Sequence, residues 1–206
     1  MRAAPAATGA PVAATANRYT DSALGYEAVK LLAGEYFATD RDVVLVTVLG
    51  SCVAACIRDR VSGIGGMNHF MLPRDDSADP VSRSARYGAF AMELLINQLL
   101  RMGARRESLE AKVFGGGAVI PGLSALSIGD SNADFVNEYL RKERIAVAAG
   151  DLKGTEPRKV YFFPRTGRVL VRMIRRLHNA TLVERELDYT LRLNALPGGG
   201  DIEIFK

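Results

Sequence analysis

The 206-residue sequence predicts an α/β fold of the mixed sandwich type. Short runs rich in aromatic and β-branched residues outnumber the stretches with helical spacing, of which there are two or three. Strands and helices do not alternate in the regular order that builds a wholly parallel sheet. Hydrophobic residues make up 48% of the chain and charged residues 24%, the balance of a globular protein with a core of its own.

Residues 1–18, rich in Ala, Pro and Thr, read as a flexible tail, because Pro5 and Pro11 interrupt any continuous apolar h-region of a signal peptide. Residues 19–206 are expected to form one domain. Residues 35–39 and 43–48 are strand-like, parted by Thr39-Asp40-Arg41-Asp42. Residues 52–57 read as a buried strand, with a helix start as the alternative, and 63–73 as a strand returning from the Ser62-Gly63 turn. Gly65-Gly66 there permits a bulge or a close backbone approach. Tyr87, Phe90, Ala91, Leu94, Leu95 and Leu99 recur at helical spacing within 82–102, and Gly103 stands where such a helix ends. A short strand over 111–114 runs into Gly115-Gly116-Gly117. A second helix is expected over 131–142. Strands over 159–163 and 168–174 flank Pro164-Arg165-Thr166-Gly167, which has strong turn chemistry. A last helix over 181–193 and a terminal strand over 202–205 complete the reading.

Composition excludes several function classes. No stretch reaches the roughly 18 apolar residues of a transmembrane helix. Two cysteines four residues apart make no disulfide framework, and reduced thiols fit the cytoplasm. A net charge of +4 with acids and bases interspersed reads as a solvated surface. The densest basic group, Lys159 with Arg172, Arg175 and Arg176, is followed closely by Glu184 and Glu186, which argues against nucleic acid as a partner.

Nucleophilic catalysis by cysteine needs a thiolate, a base to form it, and donors for the tetrahedral oxyanion. Cys52 follows Leu49-Gly50-Ser51, where a glycine breaks an apolar strand and lets main-chain N–H groups turn toward a substrate carbonyl. Cys56, between Ala55 and Ile57, has the surroundings of an inert core thiol. His69 lies in the apolar run 63–73. If 52–57 and 63–72 pair as a hairpin, its open end brings Cys52 toward His69. His178, beside Arg175 and Arg176, reads as a surface residue. The bland alternative for Cys52 and His69 is a core thiol and a satisfied structural imidazole. Cys52, Cys56 and His69 lack the spacing and the fourth ligand of a structural zinc site. The three glycines at 115–117 lack the Walker lysine and the dinucleotide pattern, so a turn or tight packing is their better reading.

The blocks Thr47-Val48-Leu49-Gly50-Ser51-Cys52-Val53 and Gly65-Gly66-Met67-Asn68-His69-Phe70-Met71-Leu72-Pro73 closely resemble the CheD family of chemoreceptor glutamine deamidases. Lys112-Val113-Phe114-Gly115-Gly116-Gly117, Ile128-Gly129 with Asn132, Arg158-Lys159-Val160, Thr166-Gly167-Arg168-Val169 and the terminal Gly200-Asp201-Ile202-Glu203-Ile204-Phe205 follow in the family's order. The resemblance covers residues 30–206. It implies an α/β sandwich similar to the catalytic domains of deamidating toxins, no cofactor and no metal. It also implies a Cys52 nucleophile, a His69 base and a third catalytic threonine. In some members that threonine stands six residues before the cysteine, where this chain has Val46. Thr47, one residue nearer, takes the role here, although a one-residue shift turns a strand residue to the other face. Gly50, Ser51 and Asn68 are the expected oxyanion and substrate-binding residues. The implied partners are chemoreceptor cytoplasmic domains and a CheC-type phosphatase, with neither nucleic acid nor membrane insertion. Hydrolysis of glutamyl methyl esters is a further implied activity, and a regulator that docks without catalysis is the rival reading.

Overall fold

The computed structural model describes residues 12–13, 17–73, 83–119, 128–174 and 180–195. Among the described residues, eleven strands and three α-helices follow in the order β1 (Val12–Ala13), β2 (Arg18–Asp21), β3 (Tyr26–Lys30), β4 (Glu35–Thr39), β5 (Val44–Leu49), β6 (Val53–Asp59), β7 (Gly65–Asn68), α1 (Arg83–Arg101), β8 (Leu109–Gly115), α2 (Ile128–Lys142), β9 (Ala146–Leu152), β10 (Arg158–Phe163), β11 (Arg168–Met173) and α3 (Ala180–Ala195). They form a six-stranded sheet, β1-β4-β7-β6-β8-β9, and a five-stranded sheet, β11-β10-β5-β3-β2. Both are mixed: β8 and β9 run parallel, joined through α2, while β6 is antiparallel to β7 and β8. The mixed α/β class expected from the sequence is the class observed.

Alternation along the strands divides the core into layers. Val53, Ala55 and Ile57 of β6 pack against Met92, Leu95 and Leu99 of α1 and Val136 and Leu140 of α2. The residues between them, Ala54 and Cys56, turn the other way and meet Leu45, Leu49, Val160 and Phe162 of the five-stranded sheet. The six-stranded sheet is thus buried on both faces at β6, which explains why that strand reads as a continuous apolar run. Each large aliphatic side chain so buried contributes about 1.5–3 kcal/mol. Gly66 permits the close contact on the helix side: a Cβ there would lie 2.5 Å from the Phe37 carbonyl and 2.7 Å from Leu95 Cδ1.

Some elements went unread in the sequence. The hairpin of β2 and β3 precedes the first expected strand, and Val12–Ala13, within the stretch read as a tail, pair with β4. β9 is an exposed edge strand over most of its length, so it lacks the buried alternation that marks a strand. Cys52 lies just before β6 rather than within it, and β7 is shorter than the expected 63–73 run. The expected terminal strand at 202–205 lies outside the described residues.

Candidate active site

Two polar side chains enter the apolar layer between the sheets. Leu45 and Leu49 of β5 face that layer, so Thr47, at the same parity, faces it too. Val46 joins Ala28, Val44 and Phe163 on the opposite face. Alternation therefore selects Thr47 over Val46 as the residue that reaches His69.

His69 follows β7 at a point where the strand leaves its β6 partner. Its main chain stays bonded to the β4 side, the N–H donating to the Glu35 carbonyl at 2.9 Å and the carbonyl accepting from Gly34 at 2.7 Å. The gap toward β6 is filled by Asn68, whose Oδ1 accepts the Ala55 N–H at 2.9 Å. Asn68 Nδ2 donates to the Ala91 carbonyl of α1 at 3.2 Å. The sequence reading took Asn68 as a substrate-binding residue. The structure instead places its amide on the helix side of the sheet, opposite His69, where it bridges β6 and α1.

Thr47 Oγ1 lies 2.7 Å from His69 Nδ1 and 2.9 Å from the Leu31 carbonyl oxygen. A carbonyl only accepts, so the one hydroxyl proton goes to Leu31. The contact with His69 then requires an Nδ1–H donor. The relay Leu31 C=O, Thr47 O–H, His69 Nδ1–H thus sets the neutral tautomer and leaves the ring's lone pair on Nε2. Nε2 is buried and has no hydrogen-bond partner among the described residues. Burial pushes the imidazole down from 6.5 to about 4, opposed in part by the Leu31 main chain. Near neutral pH His69 is an uncharged proton acceptor.

That depression has a measurable consequence for stability. The folded ring takes a proton only near pH 4, whereas the unfolded one does so below 6.5. Stability from this site is complete above pH 6.5 and lost as pH falls toward 4, because the unfolded chain binds the extra proton. At about 1.4 kcal/mol per pKa unit the loss approaches roughly 3 kcal/mol. Urea unfolding across this window should show it, and His69→Gln should flatten that part of the curve. An unchanged slope in the variant would contradict a buried neutral ring.

Cys52 joins His69 through strand register. Cys56 pairs with Met67 and Val53 bridges Phe70, and the same register sets Cys52 opposite Met71 and Ala54 opposite His69. Cys52 and His69 are diagonal neighbours on one face, a relation of about 7–8 Å across a sheet that long side chains span. Cys52 is buried, 1% exposed, and lies in the inter-sheet cluster with Met71. Cys56 is also buried, opposite Met67 and Lys112 in the ladder, and desolvation holds its thiol far above the ordinary range.

The loop before Cys52 is held by its carbonyls. Gly117 N–H donates to Gly50 O at 2.7 Å and Gly116 N–H to Cys52 O at 2.8 Å. Asn132 Nδ2 of α2 donates to Ser51 O at 2.8 Å. In a trans peptide the N–H points opposite to the preceding carbonyl. The N–H groups of Ser51 and Cys52 therefore face away from these donors.

Helical spacing placed Tyr87 in the first helix but signalled nothing of the polar contacts that it, Tyr189, Thr190 and Asn132 make at the site. Tyr87 of α1 and Tyr189 of α3 share a hydroxyl–hydroxyl hydrogen bond of 2.8 Å. Burial raises both phenols, Tyr87 to about 12, and the nearby Cys52 adds to the effect in each. Tyr189 and Leu193 pack on the inter-sheet cluster, and Thr190 Oγ1 donates to Met71 Sδ at 3.2 Å, so α3 lies over the cysteine. Asn132 was noted only through its place in the family pattern. His178, Arg175 and Arg176 lie outside the described residues. No described helix is long and apolar enough to cross a membrane.

Residues 71–173 match the family model CheD, described as CheD chemotactic sensory transduction. The chain is 60% identical over 192 residues to a probable chemoreceptor glutamine deamidase CheD of Methylobacillus flagellatus, a match spanning 92% of this chain and 95% of that one. It is 58% identical over 189 residues to a probable chemoreceptor glutamine deamidase CheD 1 of Dechloromonas aromatica (92% and 94%). It is 59% identical over 191 residues to the corresponding protein of Thiobacillus denitrificans (92% and 95%). Among solved structures, the hypothetical protein YfiH of Bacillus licheniformis aligns with 56% of this chain and 49% of its own at 13% identity and a TM-score of 0.38.

Proposed function

From the premise that this chain belongs to the CheD family, we propose that it hydrolyses glutamine side chains of chemoreceptor cytoplasmic domains to glutamate through a Cys52 thioester. The observation that carries this reading is the Thr47–His69 hydrogen bond of 2.7 Å, on the strand face that also carries Cys52. It orients a neutral imidazole with a free lone pair, the requirement for a base beside a thiol.

The steps follow from that arrangement. His69 Nε2 takes the Cys52 proton as the sulfur attacks the carboxamide carbon, so the tetrahedral oxyanion and the imidazolium arise together in the buried layer. Main-chain N–H groups of Ser51 and Cys52, in the loop opened by Gly50, hold the tetrahedral oxyanion. His69 returns the proton to the departing nitrogen, which leaves as ammonia. Water, deprotonated by His69, then opens the thioester and regenerates the thiol. The same acyl-enzyme route accepts a glutamyl methyl ester, with methanol leaving in place of ammonia. Each glutamine converted places one new negative charge on a receptor, a local electrostatic change of the kind that biases signalling states. Such a substrate places the protein in the cytoplasm, where a CheC-type phosphatase is the further expected partner.

The test is incubation with a receptor cytoplasmic fragment, read by peptide mass. Wild-type protein should add about 1 Da per glutamine hydrolysed, Cys52→Ala should add none, and Cys56→Ala should remain active at a stability cost of about 1 kcal/mol, in the range of small core truncations. Undiminished conversion by Cys52→Ala would rule out Cys52 as the nucleophile, and no conversion by the wild-type protein would leave the non-catalytic docking regulator as the reading.

A further inference from the structure

We infer that Asn132 is a positioning residue for the reaction, acting through the Ser51–Cys52 peptide; the inference rests on the oxyanion reading above. The side chain is fully buried at the start of α2 and makes two hydrogen bonds. Its Nδ2 donates to the Ser51 carbonyl at 2.8 Å, and its Oδ1 accepts the Leu72 N–H at 2.8 Å. One amide thus ties together the nucleophile loop and the segment that carries His69 three residues earlier.

The geometry gives this clamp a direction. Asn132 lies on the helix side of the six-stranded sheet, where Val136 and Leu140 of α2 pack. With the Ser51 carbonyl held to that side, peptide planarity turns the Cys52 N–H toward the inter-sheet layer, where Thr47 and His69 meet. An oxyanion formed on the carbon attacked by Cys52 Sγ accepts best from a donor whose direction is set before the reaction starts. Only an uncharged group with one donor and one acceptor at this spacing satisfies Ser51 and Leu72 together. A carboxylate accepts from Leu72 but repels the Ser51 carbonyl; a protonated carboxyl restores both bonds.

Asn132→Ala and the near-isosteric Asn132→Asp, both in a Cys56→Ala background, test this. Two rates are compared on the full chain. Alkylation of Cys52 by iodoacetamide reads the thiol without any oxyanion, and hydrolysis of the receptor fragment passes through one. Expected is a fall in kcat of about 100-fold with KM and alkylation changed less than about threefold, the signature of a lost oxyanion donor. For Asn132→Asp, kcat relative to the parent should recover as pH is lowered and the buried carboxyl takes up a proton. Equal losses in alkylation and hydrolysis would reduce Asn132 to a structural prop and overturn the inference, as would unchanged kcat. If Cys52→Ala itself still deamidates, the Cys52 thioester reading fails first, and this inference fails with it.

Discussion

Replacing His69 by Gln is expected to lower kcat on a receptor fragment by about 10⁴-fold, comparable to the loss on replacing Cys52, because a nucleophile and its base act as one unit. The argument lies in the protonation state the fold imposes. The hydroxyl proton of Thr47 goes to Leu31, so its oxygen accepts from Nδ1 and leaves Nε2 unprotonated, while burial holds the ring neutral. A glutamine amide fills much of the same volume but supplies no base. Thr47 should show an intermediate effect. Thr47→Val removes the acceptor for Nδ1–H, frees the ring to adopt the other tautomer, and should cost roughly 10²-fold, whereas Thr47→Ser keeps the hydroxyl and should remain near wild type. Steady-state kinetics by peptide mass distinguishes the three. Full activity in Thr47→Val would mean that another group sets the tautomer.

Gly115→Ala is expected to produce the largest loss of stability of any single methyl addition considered, about 3 kcal/mol or more, and to abolish hydrolysis with it. Gly115 ends β8 at φ +105°, a region that L side chains rarely adopt, and a Cβ there would lie 2.2 Å from the Cys52 carbonyl oxygen. Backbone strain of that kind costs about 1–3 kcal/mol by itself. Here the obstacle is the main chain of Cys52, which cannot rotate aside like a flexible side chain. Cys52 O also accepts the Gly116 N–H, a bond that the displaced loop would lose. Gly25→Ala is the control: φ is +71° but nothing lies within 4 Å of the added carbon, so strain alone should cost about 1 kcal/mol. Urea denaturation of the two variants separates strain from overlap. Equal losses would show that the contact with Cys52 carries no energy.

Much of this was legible in the residues. The run around Cys56, the helical spacing from Tyr87 to Leu99 and the turn at residues 164–167 each satisfy a local rule, and each element stands where that rule puts it. β9 was missed because an exposed edge strand buries no alternating face, and β2 because its residues are mostly exposed. Asn68 was misplaced for another reason. It neighbours His69 in sequence, yet adjacent strand residues face opposite layers, and the gap in the β6–β7 pairing that its amide fills is invisible without the sheet.

By itself the amino-acid sequence determined the α/β class, the short apolar strands and the family blocks, and it supplied the proposal of Cys52 and His69 as the chemical pair, because each is written in local pattern or in contiguous residues. Only the tertiary structure decided that Thr47 rather than Val46 meets the imidazole, that Asn132 bonds the loop before Cys52 and that α3 lies over the cysteine. Those relations join residues 22, 81 and 119 positions apart. Their geometry follows from strand parity and the packing of two sheets, which no local window of sequence contains.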